Sequence, residues 1–223
     1  MKQTERGEAI DISGRIMAQL VTFPTVGTGQ AAADLRWAIG RYMSNFNSLI
    51  EERVLGPALR ACFDNAFLAG ATLNSMDNVR WAMFAEAPKY PLGYAIVNAA
   101  FSFSFIEQTK IITAMEFKSQ SEVDILIDRM ALVIEDIKLY RADHFVAAVY
   151  RDFVALAALL IQHLSATRRV LPRIVNYQFP INYPALAMSN RIYADPSRSE
   201  ELIAENDTVH PAFMQRNVVA LSV

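Results

Sequence analysis

The chain has 223 residues, 53% hydrophobic and 20% charged, enough to bury a sizeable core in one large domain or in a medium one with a small one. Its 21 basic and 23 acidic side chains leave a formal net charge of −2, which provides no long-range attraction for nucleic acid or an acidic substrate. The single cysteine, Cys62, excludes an intramolecular disulfide and a multi-thiolate metal site. Within Ala61-Cys62-Phe63 it reads as a small core hydrophobe.

Taken in chain order, the N-terminus Met1-Lys2-Gln3-Thr4-Glu5-Arg6 is polar and leads into no signal-peptide core. Residues 1–30 read as an arm and linker, closing on the glycine-containing run Thr25-Val26-Gly27-Thr28-Gly29-Gln30. That run lacks the lysine of a phosphate-binding loop and the third glycine of a dinucleotide fingerprint, so a hinge fits it better. Residues 31–170 then read as an all-α body. Leu35, Ile39, Tyr42, Phe46, Leu49, Ile50 and Val54 recur at helical steps until Gly56-Pro57. A second helix carries Leu59, Phe63 and Phe67 and continues towards Val79 and Met83, and Pro88 and Pro91 bracket a break.

Tyr94 to Met115 is apolar on almost every side, as a buried central helix would be. The stretch Leu92–Ile106 contains Asn98, Ser102 and Ser104, and is short of the roughly 20 apolar residues a membrane span requires. Ser121 with Asp124 predicts the capped start of a helix to about Tyr140, with Val123, Ile127, Met130, Ile134 and Ile137 inward. A last long helix, roughly Ala142 to Thr167, has Phe145, Val149, Phe153, Leu156, Leu160 and Leu164 on one stripe.

After Arg168-Arg169 the period changes. Val175, Tyr177, Phe179 and Ile181 alternate with polar residues and proline, predicting a half-buried strand that Pro180 confines to an edge or an end. Pro184 starts a short helix, Asp195-Pro196 turns the chain, and Ser197 or Ser199 caps a second short helix ending at Asn206-Asp207. Val218 to Val223 reads as a closing strand. The fold class is therefore mainly α, a helical bundle followed by a small β-α-α-β module over residues 171–223.

Few residues suggest chemistry. His144, His163 and His210 are scattered and assemble no ligand set. Asp124, Asp128, Glu135 and Asp136 lie off the apolar stripe of their helix and read as a solvated face rather than an acid–base pair. No Gly-x-Ser-x-Gly elbow or His-Glu-x-x-His pair occurs. Arg168, Arg169 and Arg173 form a small basic cluster near Tyr177. Nucleic-acid contact is one reading of it; charge complementarity at a helix C-terminus or an interface ion pair is the simpler one. No enzyme, metal or cofactor is expected. A mean hydropathy of +0.18 predicts that partners cover some apolar surface.

The run Leu186-Ala187-Met188-Ser189-Asn190-Arg191-Ile192-Tyr193-Ala194-Asp195, then Ser197-Arg198-Ser199-Glu200-Glu201-Leu202, Asn206 and His210-Pro211-Ala212-Phe213, resembles the C-terminal end of the phage Mu-type tail proteins called DNA circularisation proteins. Ala114-Met115-Glu116-Phe117-Lys118-Ser119 and Leu171-Pro172-Arg173 resemble the same family, and the similarity is clearest from about Ala99 onward. The order β-α-α-β is similar to a LysM module. Members of the family are usually longer, with an N-terminal domain that has no counterpart here. Peptidoglycan-binding LysM modules carry a Gly-Asp-Thr-like turn after the first strand, where this chain has Asn182-Tyr183-Pro184.

The resemblance implies a structural component of a contractile-type tail baseplate, made in the host cytoplasm and located in the virion. Its implied partners are tail tube, hub and baseplate wedge proteins, with the tape-measure protein a further candidate, and several copies in a symmetric ring. Neither a membrane nor nucleic acid belongs to that reading. The C-terminal module would do the docking, with Tyr177, Phe179, Tyr183, Tyr193, Leu202 and Phe213 divided between its interface and its own core. A nucleic-acid-binding protein acting on phage DNA ends and a peptidoglycan-binding LysM protein are the alternatives.

Overall fold

The structure is a computed structural model that describes residues 3–22, 29–142 and 147–222. It is mainly helical, with one two-stranded antiparallel sheet near the C-terminus, and forms two units. The first comprises Met1–Met115 with Val133–Ala157, the second Glu116–Leu132 with Ala158–Val223. That division differs from the expected boundary at residue 170, because two long helices contribute to both units.

In the first unit, helix α1 (Gln3–Thr22) takes the place of the expected N-terminal arm. Ala9, Ile12, Ser13, Ile16, Met17 and Leu20 are buried, a stripe at three- and four-residue steps. Residues 25–28 of the expected hinge and Phe145 lie outside the described residues; Gly29 is the N-cap of α2 (Gln30–Ser44). The helix expected to run from Leu35 to Val54 is broken at Asn45 and resumes as α3 (Phe46–Glu51). The Ser44 hydroxyl donates back to the Gly40 carbonyl, a local bond that competes with a straight helix, and Asn45 leaves helical geometry. Tyr42 and Phe46 still face inward across the break, rings edge-on at 5.7 Å.

Helix α4 (Leu55–Leu68) carries Gly56 and Pro57 in its first turn, where proline's missing N–H costs nothing. It does not continue to Met83. Gly70 adopts φ +86°, its amide bonds to Phe67, and the Ala71 amide reaches back to Ala66, so a glycine-centred C-cap closes the helix. Thr72 then opens α5 (Leu73–Phe84) with a capping box: the Ser75 amide donates to the Thr72 hydroxyl at 3.2 Å and the Thr72 amide to the Ser75 hydroxyl at 2.8 Å.

Helix α6 (Pro91–Thr113) is the expected central helix, and α1, α4 and α5 all pack on it. Gly93 lies in its first turn, where the Glu8 carboxylate of α1 accepts the Lys89 and Tyr90 amides at 3.0 and 3.1 Å. A Cβ at Gly93 would sit 2.5 Å from Glu8 Oε1, 3.1 Å from Pro88 Cβ and 3.2 Å from Ile12 Cδ1. Among the described residues no helix is long and apolar enough to cross a membrane.

The second unit holds the start of α7 (Gln120–Ala142) and the end of α8 (Ala147–Val170). The expected Ser121–Asp124 cap is replaced by one two residues earlier. The Glu122 amide approaches the Ser119 hydroxyl at 3.4 Å, and the Glu122 carboxylate accepts the Lys118 amide at 2.8 Å. Asp124 pairs instead with Arg168 at 2.5 Å. The Gln120 side chain and amide bond to the Leu171 and Pro172 carbonyls, tying the start of α7 to the chain just after α8.

Strand β1 (Ile174–Gln178) pairs antiparallel with β2 (Asn217–Leu221), with Ile174 opposite Leu221 and Asn176 opposite Val219. The strand is shorter than expected: past Gln178 the Phe179 amide still bonds to Arg216, and Pro180 then has no N–H to continue the pairing. Between the strands run α9 (Ala185–Tyr193), a 3-10 turn (Pro196–Arg198) and α10 (Ser199–Glu205). Neither Ser197 nor Ser199 caps α10: Asp195 accepts the Ser197 amide and hydroxyl, and the 3-10 turn leads straight into the helix.

Gly93→Val should lower stability by about 1–3 kcal/mol, since the added groups meet the Glu8, Pro88 and Ile12 side chains rather than open space. Urea denaturation of both proteins checks this, and an unchanged midpoint would show that α1 yields freely.

Candidate functional site

The residues after α8 build a small core of their own. Ala185, Met188, Tyr193, Leu202, Met214, Val218 and Ala220 are buried together, flanked by Phe179, Tyr183, Ile192 and Ile203. Val218 and Ala220 share one face of β2 and turn it inward, as strand alternation requires. Loops close the unit through the Ala185 amide to Pro211 at 2.7 Å and the Met214 amide to Tyr183 at 3.0 Å.

The residue that ties this unit together is Asn206, at the end of α10. Its side-chain N–H2 donates to the Leu202 and Val219 carbonyls at 2.8 and 2.7 Å, and its side-chain oxygen accepts the Val219 amide at 2.8 Å. The amide group thus meets both backbone polar groups of one β2 residue, as a neighbouring strand would. In the sequence Asn206 reads only as a helix terminator.

The six aromatic and apolar candidates separate into three environments. Leu202 and Tyr193 belong to the core, so they cannot serve as surface anchors while the module is folded. Burial raises the Tyr193 hydroxyl above its usual pKa; Glu201 adds to this, while Arg198 and a backbone bond from Leu221 oppose it. Phe179 and Tyr183 pack edge-on at 5.9 Å against the core, and Arg191 lies over the Tyr183 ring at 4.1 Å. Tyr177 is 36% exposed and Phe213 70%. The exposed set also includes Ile181, Leu186 and Val209, which were not among the six interface candidates; Val209 is 93% exposed. For Leu186 the helical wheel of α9 carried the signal, since Ala185, Met188, Ser189 and Tyr193 point the other way.

Elsewhere, charged groups serve packing. Glu107 on α6 is fully buried, with Arg60 at 3.0 Å and Lys110 at 3.1 Å on its Oε1 and no partner for Oε2 among the described residues. Desolvation raises its pKa above the usual glutamate value, against the pull of Lys110 and Arg60. Asp64, despite some desolvation, is held below its ordinary value by bonds from Arg60 and Lys110. Arg80 is almost as buried; it bonds Asp136 at 2.6 Å and Asp77 at 3.3 Å, and Asp77 also accepts from Gln108 at 2.7 Å. Asp136 is therefore one end of a buried-arginine contact rather than part of a uniformly solvated face. Asp128 is exposed, and Glu135 pairs with Lys138 at 2.9 Å.

Cys62 is buried, and burial pushes its thiol up to about 12, far from a reactive thiolate. His163 is exposed, and the His210 carbonyl accepts the Phe213 amide at 2.9 Å in a turn; His144 lies outside the described residues. Of the basic cluster, Arg168 is engaged by Asp124, while Arg169 and Arg173 are exposed. Among the described residues no group of three or more His, Cys, Asp or Glu side chains converges as metal ligands. A mostly apolar cleft of about 310 Å3 lies against Trp37, Tyr42, Leu49, Val54 and Ala58; Glu107 does not line it.

Asn206→Ala should destabilise the C-terminal unit by about 1–3 kcal/mol, because the Val219 amide and carbonyl lose their partner. Hydrogen exchange at Val219 reads this directly; unchanged protection would deny Asn206 its role. Glu107→Gln should raise the melting temperature by a few degrees at neutral pH. A carboxyl whose folded pKa is raised stabilises below its unfolded pKa, and that contribution is lost as pH rises through the folded value. The advantage of the variant should therefore vanish in acid, and a neutral-pH loss would mean that ion pairing outweighs desolvation.

No protein-family model matches this sequence, and no curated protein matches it.

Proposed function

We propose that this chain is a structural component of a contractile-type phage tail baseplate, in which residues 171–223 form a LysM-like module that docks onto neighbouring tail proteins. The observation that carries the reading is a strand–helix–helix–strand unit that closes on its own core and still presents large apolar side chains outward. Phe213 and Val209 stand on the loop between α10 and β2, where no packing within the unit accounts for them. Exposed aromatic groups of this kind are typical anchors for a protein partner.

The resemblance of the 186–213 run to Mu-type tail proteins supplies the assembly: tube, hub and wedge proteins as neighbours, several copies around the tail axis, and a virion location. The helical body acts as a spacer, and its buried ion pairs select which helix faces meet rather than perform chemistry. An assembly role rather than an enzymatic one fits a chain whose most perturbed groups, Tyr42 and Cys62, are enclosed. Asn182-Tyr183-Pro184 at the first turn favours protein over sugar as ligand, since Tyr183 packs against the module core.

Phe213→Asp tests the reading. The variant should keep its melting temperature, because Phe213 is outside the core, yet enter purified tail particles roughly tenfold less than the parent. Incorporation equal to that of the parent would remove the docking assignment.

A further inference from the structure

The two edges of the small sheet are treated differently. Antiparallel pairing alternates between residues that face the partner strand and residues that face away. The Phe179 amide bonds to Arg216 and the Ser222 amide to Arg173, so the odd positions of β1 face β2. Val219 of β2 faces away, and there Asn206 occupies both its N–H and its C=O. The outer edge of β2 is closed from within the module.

Among the described residues β1 has no such cover. Its outward backbone groups belong to Ile174, Asn176 and Gln178, all three exposed, and β2 is the one described element against which β1 packs extensively. Natural edge strands are usually blunted by lysine, proline, a bulge or an inward charge. Ile174–Gln178 contains none of these, and its register with β2 is uninterrupted. The inner face is also incompletely roofed at this edge: Tyr177 is partly exposed and Val175 half-buried, so alternate apolar side chains of an added strand would extend the core.

Charge selects the occupant. From Arg169 to Ala194 the chain has arginines at 169, 173 and 191 and no aspartate or glutamate. Arg173 sits exposed at the head of β1. A second copy adding its own β1 would set Arg173 against Arg173 if parallel and would bring Arg173 no acidic partner if antiparallel, whereas an acidic segment would be drawn in.

We propose that the free edge of β1 is a strand-addition site, taking an extended segment of another polypeptide with apolar residues at alternate positions and acidic residues at the end that meets Arg173. The inference rests on the reading of residues 171–223 as the docking module and specifies how that module grips. Main-chain bonds to Ile174, Asn176 and Gln178 supply the contact, and Arg173 sets its direction.

The test uses the full chain and a labelled synthetic peptide of alternating valine and threonine headed by two glutamates, with a two-lysine version as control. Binding is followed by fluorescence anisotropy and by hydrogen exchange at the Ile174, Asn176 and Gln178 amides. The acidic peptide should bind and slow all three amides, with the lysine version roughly tenfold weaker. Asn176→Pro removes an outward N–H without touching the β1–β2 ladder, and should abolish binding while the far-ultraviolet spectrum is kept. Arg173→Glu, which alters only an exposed side chain, should reverse the preference between the two peptides. Protection elsewhere, equal binding of both peptides, or a β1-dependent dimer in light scattering would overturn the proposal. If it fails while Phe213→Asp still blocks incorporation, strand addition is wrong and the docking module stands; if both fail, the docking reading goes too.

Discussion

The first unit is governed by one constraint: α6 is enclosed along much of its length, so the buried polar groups it carries call for partners inside the protein, a demand that Glu107 meets, among the described residues, through only one of its two carboxylate oxygens. Ser104 turns its hydroxyl back to the Phe101 carbonyl, Gln108 reaches Asp77 of α5, and Glu107 draws Arg60 of α4 and its own Lys110. Those demands select the helices around α6 as firmly as its apolar side chains do. They fix the register of α4 and α5 against it, because a one-turn slip would strand a buried carboxylate and a buried amide. At the other end of α6, Gly93 lets α1 approach, and Glu8 caps the helix from outside.

The C-terminal unit solves a different problem. Two five-residue strands and two short helices bury too little surface to tolerate loose ends. Asn206 answers this by serving as helix terminus and strand partner at once, coupling α10 to β2. The same device leaves the sheet asymmetric, one edge closed and one open, and the exposed Phe213 and Val209 stand on the loop that leads into β2. A unit so constructed has a stable interior and a surface with apolar and main-chain groups to offer a neighbour. The proposed role as a docking module follows from that combination.

Periodicity in the sequence was enough to identify α6, the α9 start after Pro184, the turn at Asp195-Pro196 and the pairing segments around Val175 and Val218. These are places where a local pattern or a proline decides the outcome. Helix ends were harder. Asn45 breaks a stripe that continues through it, and the Gly70 cap lies inside a run that remains apolar. Ser119 rather than Ser121 stands at the cap, and Asp124, the expected partner of Ser121, pairs with Arg168, 44 residues away. A distant ion pair of that kind has no local signature. α1 was missed although Ala9, Ile12, Ile16, Met17 and Leu20 stand at helical steps in the sequence; the polar member of its buried stripe, Ser13, hydrogen-bonds to Tyr42 on α2 at 3.1 Å. The candidate site was legible as a segment but not as a surface. Leu202 and Phe213 look alike in sequence, and only the way the module closes sends one inward and the other out.

The most direct test of the central claim is cryo-electron microscopy of the native assembly that co-purifies with this chain, with residues 171–222 traced against their neighbours. The account predicts the C-terminal unit seated between tail proteins, with Phe213 buried by a partner. Finding that unit bare in solvent, lying along nucleic acid, or absent from the tail would contradict it.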